Sequence, residues 1–190
     1  MSRFIYFRSK FCIKNKYSQS KFAALLPRKQ ALLNDCITQT DKNSVIDGLV
    51  SIVNHAYIVG EHSMWIENYN RTDYNDIEQK LNNEMLILLV KVDNGSESEC
   101  HEDEIVVNET TIIGQILCDT KFDTKKGMAE FGILAIHEEY QKLGLGKLLI
   151  SAAEERAKYV GCKTLQWELL SPTTFEHDVK TWLSLWYKKL

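Results

Sequence analysis

The sequence predicts an α/β fold (α+β) in which a mixed, mostly antiparallel central sheet is flanked by helices. Several segments carry apolar residues at helical spacing, others are apolar runs of strand length, and a glycine-containing turn joins one such run to the clearest helix. With 190 residues and 44% hydrophobic content, the chain is long enough for one domain with its own core.

The helix after the glycine turn is the most strongly marked element. Its apolar residues recur every three or four positions, and Gly161 ends it as a C-cap. Residues 44–57 are predicted to form a helix that begins near Asp41 or Asn43, and residues 72–81 a shorter helix capped by Thr72 or Asp73. The predicted strands are residues 85–92, 111–118, 129–136 and 164–170.

The turn before the marked helix has the features of an anion-binding site. The first turn of a helix leaves backbone N–H groups unpaired and carries the positive end of the helix dipole, so a glycine turn can wrap them around phosphate. A P-loop would need glycine at Gln141 and Ser or Thr at Leu148, and a dinucleotide-binding loop would need glycine at Leu149. The spacing excludes both and leaves the pattern Q-x-x-G-x-G.

Placed between a strand and a helix, Q-x-x-G-x-G resembles the pyrophosphate-binding motif of the GNAT superfamily, the acyl-CoA-dependent N-acyltransferases. The order of predicted elements over residues 32–190 also resembles that of a GNAT domain. The resemblance implies an acetyl-CoA-dependent N-acetyltransferase that moves an acetyl group to a primary amine of a small molecule or protein by direct attack. The alternative is a non-catalytic acyl-CoA-binding or partner-binding domain.

The end of the chain departs from the family pattern. Residues 186–190 resemble the family's W-Y-x-x-L-G-(F/Y) segment interrupted before its glycine, and the C-terminal strands that follow in the family are missing from this sequence. Either the sequence is a shortened version of a longer one, or it is a natural short form whose open sheet edge, which favours association, is covered by a homodimer contact or another partner. This apparent truncation is the reason for the non-catalytic alternative.

The resemblance implies a residue for each task of acyl transfer. Main-chain groups of the turn would hold the pyrophosphate of coenzyme A, and those of the preceding strand would pair with its pantetheine arm. Glu130 is the implied base and Tyr187 the implied acid for the leaving thiolate; their alternative roles are a solvent-facing strand residue and part of an apolar helix face. The implied coenzyme A residues are Leu134, Ala135, Ile136, Gln141, Lys142, Leu143, Gly144, Leu145, Gly146 and Lys147.

The acceptor pocket is expected in the loop after the first predicted helix. There Tyr57, Glu61 and Trp65 would recognise an ammonium group by charge and cation–π contact, whereas packing is the alternative role for the tryptophan. The histidines and cysteines lack the spacing of metal ligands, so no metal is expected.

Two segments differ from the rest in charge. Residues 1–34 contain eight Lys or Arg residues and no acid, so residues 1–31 are interpreted as a basic leader, either a mitochondrial transit peptide or a disordered arm, that precedes the domain at 32–190. The acidic segment 93–110 carries seven acids and no Lys or Arg, and is predicted to be a solvated hairpin loop rather than a patch that recruits basic acceptors.

Composition also restricts the compartment and the partners. Five scattered cysteines without a C-x-x-C pair favour a reducing compartment, so we expect a cytoplasmic location, with mitochondria as the alternative. No apolar run has membrane-spanning length, and no segment resembles a nucleic-acid-binding fold. The expected partners are therefore acetyl-CoA and an amine acceptor, without membrane or nucleic acid.

Overall fold

Seven strands form one sheet in a computed structural model of the chain, which describes residues 5–14, 21–26, 39–66, 69–92, 105–107 and 111–189. The strands are β1 Ile5–Lys14, β2 Lys21–Leu26, β3 Leu86–Val92, β4 Ile105–Val107, β5 Ile112–Asp123, β6 Met128–Ile136 and β7 Thr164–Trp167; the helices are α1 Gln39–Gly60, α2 Tyr74–Asn82, α3 Leu145–Val160 and α4 Asp178–Tyr187.

The strand order is β4-β1-β2-β3-β5-β6-β7, antiparallel throughout except for the parallel pair β6–β7. This confirms the predicted fold class.

Helices cover both faces of the sheet, and β3 shows how the sequence requires this. In this continuous apolar run, Leu86 and Leu88 pack with α1 and α2 on one face, while Ile87 and Leu89 pack with α3 on the other. Successive side chains of a strand point to opposite faces, so an uninterrupted apolar run is stable only when both faces are covered. The core therefore lies in two layers on either side of the central strands.

The helix ends agree with the predicted caps at two of three places. Asp73 caps α2, its carboxylate accepting the Asp76 amide at 2.8 Å, and Gly161 ends α3 with a left-handed φ of 90°. Helix α1 begins earlier than predicted, at Gln39, so that Asn43 lies inside it. There the Asn43 side chain accepts a hydrogen bond from the Tyr74 hydroxyl at 2.6 Å and joins α1 to α2.

The domain boundary predicted at residue 32 is too late. Strands β1 and β2 belong to the sheet, and β2 pairs with β3 through the register Ala24↔Leu89. Phe22 and Leu25 are buried, because the short apolar run between basic residues fills the space beside β3. Residues 1–4, 15–20 and 27–38 of the predicted leader lie outside the described residues, and the transit-peptide interpretation stays a prediction.

The acidic segment is only partly described. Residues 93–104 and 108–110 lie outside the described residues, whereas Ile105–Val107 forms β4 and pairs with β1. The segment therefore contains a short strand in addition to any loop. Among the helices of the described ranges, none has the length and apolarity needed to cross a bilayer.

Candidate active site

The glycine turn presents three unpaired backbone amides. It follows a 3₁₀ turn at Glu138–Tyr140 and leads into α3, with left-handed φ values at Lys142 (63°) and Gly144 (80°). The amides of Lys142, Leu143 and Gly144 donate to no acceptor among the described residues, and the three residues are exposed. Successive amides in such a turn, ahead of a helix, form an anion-binding concavity.

The side chain of Gln141 holds this turn against the end of β6. Its Nε2 donates to the carbonyl of Ile136 at 3.0 Å. On the α1 side, the His55 ring lies 3.2 Å from the Glu138 carboxylate. The glutamine of the motif therefore fixes the turn, while the main chain is left to bind a ligand.

A β-bulge interrupts β6 just before the turn. Gln115 pairs with Ala135 and Leu117 with Gly132, so two steps along β5 oppose three along β6. The bulged segment of β6 contains Ile133, whose φ of 45° is a left-handed conformation that a β-branched residue rarely adopts. Such outliers concentrate at functional sites because the surrounding structure must hold them in place.

Strands β6 and β7 separate at the same level. Their parallel pairing ends at Phe131↔Trp167, whereas β6 continues to Ile136. Beyond Phe131, β6 has β5 as its strand partner on one side and no described strand on the other. This leaves main chain of Leu134, Ala135 and Ile136 next to the gap, as the predicted pairing with an extended ligand requires.

A cavity of about 140 Å³ opens at this gap. It is enclosed by the end of α1, the bulge of β6, the segment after β7 and α4. Its walls combine aromatic rings with charged side chains. Among the rings, Phe131 stacks on Trp167 at 5.5 Å between ring centroids, and Tyr187 lies 5.5 Å from the same indole. The polar and aromatic side chains of the lining include Tyr57, Glu61, Arg71, Phe131, Trp167, Glu168, Lys180 and Tyr187.

Tyr187 lines the cavity, and its hydroxyl group is protonated. Burial raises its pKa to about 12, and the nearby Tyr57 hydroxyl adds to the effect. Burial also raises the pKa of Tyr57, against the opposing charge of Arg71. Both predicted residues therefore line the same cavity as neutral proton donors at physiological pH.

Glu130 lies beside the cavity and is absent from its lining. It is half-buried one residue before Phe131, and its Oε1 is 3.5 Å from the Gln166 amide on β7. Burial, and then the charges of Glu168 and Asp119, raise its pKa, against the hydrogen bond from Gln166. A raised pKa favours proton uptake near neutrality.

The side chains of the predicted acceptor residues Glu61 and Trp65 are hydrogen-bonded to each other. Glu61 is buried; its Oε2 accepts the Trp65 indole N–H at 2.6 Å, and its Oε1 pairs with Lys180 Nζ at 2.5 Å. Glu61 lines the cavity, whereas Trp65 stacks on Tyr69 at 4.6 Å outside its lining. Both carboxylate oxygens of Glu61 are therefore occupied within the protein.

Arg71 and Lys180 are cavity residues that the sequence analysis did not identify. Lys180 pairs with a glutamate 119 positions away, so no local pattern indicates it. Arg71 was detectable in principle, because it directly precedes the cap region of the second predicted helix in a segment expected near the acceptor. The described residues contain no cluster of three or more His, Cys, Asp or Glu side chains that could hold a metal ion.

Comparisons with known proteins agree with this architecture. The model of the acetyltransferase (GNAT) family matches residues 61–178. No curated protein matches the chain. Among solved structures, AAC(6')-Iy bound to the bisubstrate analog CoA-S-monomethyl-acetylneamine is 12% identical, covers 90% of this chain and 89% of its own, and has a TM-score of 0.50. PaiA N-acetyltransferase from Thermoplasma acidophilum, in complex with coenzyme A, is 18% identical, with 76% and 81% coverage and a TM-score of 0.50. At these identities the likeness concerns the fold.

Proposed function

The chain belongs to the acetyltransferase (GNAT) family, and from that premise we propose that it is an acetyl-CoA-dependent N-acetyltransferase acting on a primary amine of a small molecule or protein. Family membership supports acyl transfer as the general reaction. The observation that carries the finer proposal is the position of the unpaired turn amides just beyond the end of β6, with the aromatic cavity beside the bulge of the same strand.

In this proposal the turn amides bind the pyrophosphate of coenzyme A. Lys142, Leu143 and Gly144 supply N–H donors, and the start of α3 adds the positive end of its dipole. The pantetheine arm then runs along the β6 main chain toward the cavity. The two solved structures of similar fold contain coenzyme A or an analog built on it, which is consistent with this placement.

The amine must lose a proton before it attacks. A primary amine with a lysine-like pKa of about 10 arrives as ammonium. Glu130 would take that proton through a bridging water, because it lies one residue outside the cavity lining. The nitrogen lone pair then attacks the thioester carbon, and an amide freed at the β6 bulge would stabilise the oxyanion.

Collapse of the tetrahedral intermediate breaks the carbon–sulfur bond. The electron pair leaves with sulfur, and the Tyr187 hydroxyl would protonate the thiolate to give free coenzyme A. Its raised pKa keeps the hydroxyl protonated at physiological pH, so that it can donate to the sulfur as negative charge develops there. The second proton of the nitrogen passes through solvent to restore the Tyr187 hydroxyl, and Glu130 releases the first proton to solvent, so that the products are the acetamide, coenzyme A and one proton.

The test is a titration with acetyl-CoA followed by a thiol-release assay over a broad panel of amines. We expect saturable binding and coenzyme A release that depends on the amine. Absence of both would contradict the proposal. Gly144→Val places a β-branched residue at a left-handed φ, so it should distort the turn without altering the cavity lining. It should abolish binding of acetyl-CoA, which would show that the binding measured for wild type occurs at the turn.

A non-catalytic acyl-CoA-binding domain is the second candidate. The absence of Glu130 from the cavity lining favours it, since a base must come within reach of the proton that it removes. This alternative predicts tight acetyl-CoA binding with no release of thiol in the presence of any amine. The same assay therefore separates the two candidates.

For the cellular location we propose the cytoplasm rather than mitochondria. Removal of residues 1–31 would take β1 and β2 out of the sheet, together with the buried Phe22 and Leu25, and would expose the edge of β3. Sequencing the N-terminus of the protein from cells tests this, because a mature chain that begins after residue 26 would contradict it.

A further inference from the structure

Arg71 is a cation of the cavity without an acidic partner in the described part of the chain. Its guanidinium lies over the Tyr57 ring, with Cζ 5.3 Å from the ring centroid. Its Nε is buried and has no hydrogen-bond partner. No carboxylate oxygen of the described residues lies within 4 Å of its nitrogens.

The backbone next to Arg71 is held in place by hydrogen bonds to Thr72, the residue that follows it. Asn54 of α1 donates from Nδ2 to the Thr72 carbonyl at 3.0 Å and accepts the Thr72 amide at 3.1 Å. The Thr72 hydroxyl donates to Asp76 at 2.5 Å. With the backbone held in this way and the side chain in contact with Tyr57 and Tyr69, the guanidinium is restrained before a ligand arrives, which reduces the entropy lost on binding.

No other charge of the cavity pairs directly with Arg71, which interacts with the hydroxyls of Tyr57 and Tyr69 and, at longer range, with the charge of Glu61. Lys180 and Glu61 neutralise each other at 2.5 Å. Tyr57 stays neutral at physiological pH because burial raises its pKa, so it supplies no phenolate. Glu168 is exposed within the lining and is available to an incoming ammonium group.

We propose that the acceptor is an amino carboxylate, whose carboxylate binds the guanidinium of Arg71 while its amine approaches the thioester. A partly buried guanidinium gains most from a carboxylate, because two parallel N–H···O bonds match the planar fork. An acceptor with several positive charges would instead be repelled by Arg71. The inference rests on the proposed function and narrows its substrate class.

The same carboxylate could come from a second source, the acyl group of a dicarboxylic thioester. The position of Arg71 favours the acceptor, since it lies in the segment between α1 and α2, and the turn that would hold coenzyme A begins after β6. Succinyl-CoA in place of acetyl-CoA distinguishes the sources.

The experiment compares ω-amino carboxylates of three to six carbons, and α-amino acids, each with its neutral primary amide. A polyamine provides the polycationic arm. Thiol release gives kcat and KM, and calorimetry in the presence of coenzyme A measures binding of the same compounds without turnover. The variants are Arg71→Met, Arg71→Lys and, as a matched control, Lys121→Met, which removes an exposed cation at the far end of β5.

We expect wild-type protein to favour at least one carboxylate over its amide by about tenfold to a hundredfold in KM, the ratio expected from one charged hydrogen-bonded contact. Arg71→Met should abolish this preference while leaving the KM of the amides unchanged, and Arg71→Lys should restore part of it. A merely structural role would raise the KM of both members of each pair. Lys121→Met should behave as wild type.

Three outcomes would overturn the inference: equal KM values for acids and amides, a carboxylate preference that survives Arg71→Met, or an Arg71-dependent preference for succinyl-CoA over acetyl-CoA. Failure of the proposed function is distinct, because it would appear as no turnover of any amine. Carboxylate binding by calorimetry that Arg71→Met abolishes would then still support the inference.

Discussion

Trp186 Cη2 lies 3.4 Å from the position that a Cβ atom on Gly146 would occupy. The first turn of α3 thus rests directly on α4, and the next residue of α4, Tyr187, reaches the cavity. Gly146 is therefore a packing glycine, whereas Gly144 is a conformational one with a left-handed φ and open space around it. The two glycines of the motif should respond differently to substitution.

At Gly146 we expect the size of the new side chain to decide the outcome. Gly146→Ala should leave the free energy of unfolding unchanged or raise it by up to about 1 kcal/mol, because alanine favours the helix and its Cβ makes an ordinary contact. Gly146→Leu should lower it by about 1–3 kcal/mol by overpacking against Trp186. Urea unfolding measures both. A larger loss for alanine than for leucine would contradict the assigned contact.

At Gly144 we expect backbone conformation to decide the outcome. Gly144→Ala should cost about 1–2 kcal/mol of stability, the strain of an L-residue in the left-handed region, and should weaken acetyl-CoA binding because relief of that strain reorients the turn amides. Gly161→Ala is the matched control, with φ 90° and open space at the other end of α3. It should cost similar stability and leave affinity unchanged; equal affinities for both variants would refute the role of the turn.

For Glu130 we expect a defect in turnover and a diagnostic pH profile. Glu130→Gln should lower kcat by about 10²- to 10⁴-fold with nearly unchanged acetyl-CoA affinity. The base must be a carboxylate, so kcat/KM should fall as the pH drops through the raised pKa of Glu130. Asp119→Asn removes a neighbouring negative charge and should move this fall to lower pH, whereas Gln166→Leu removes a stabilising hydrogen bond and should move it to higher pH. A fall that neither variant moves would assign the base elsewhere.

For Tyr187 we expect loss of the hydroxyl to slow turnover without unfolding the protein. Tyr187→Phe keeps the ring contacts with Phe131 and Trp167, so the unfolding midpoint should be nearly constant while kcat falls by about 10²- to 10⁴-fold. Because its pKa is about 12, the wild-type rate should show no loss from Tyr187 ionisation below about pH 10. Tyr159→Phe, on the exposed face of α3, is the control and should retain full activity.

The sequence predicted those parts of the site that follow from local pattern. The turn and α3 were predictable because glycine positions and helical periodicity lie within a few residues of each other. The bulge at Ile133 was not, since a β-branched residue in a left-handed conformation opposes its own propensity and is imposed by neighbouring strands. Strand β2 was missed because its apolar run is short and lies among basic residues, and the pair of Glu61 with Lys180 because only the fold brings them together.

The ion pair of Glu61 with Lys180 should be a major determinant of stability at the cavity. Both side chains are about 95% buried, so Lys180→Met leaves a carboxylate without its cation and should lower the free energy of unfolding by about 3–5 kcal/mol. Replacing both residues, as Glu61→Leu with Lys180→Met, should cost less than Lys180→Met alone, because no buried charge is then left unpaired.

Lys158→Met is the control, since its pair with Glu154 is exposed and should contribute less than about 1 kcal/mol. Urea unfolding of wild type and the three variants compares these losses, and a double variant less stable than Lys180→Met would show that packing or the Trp65 hydrogen bond, rather than charge pairing, holds this region together.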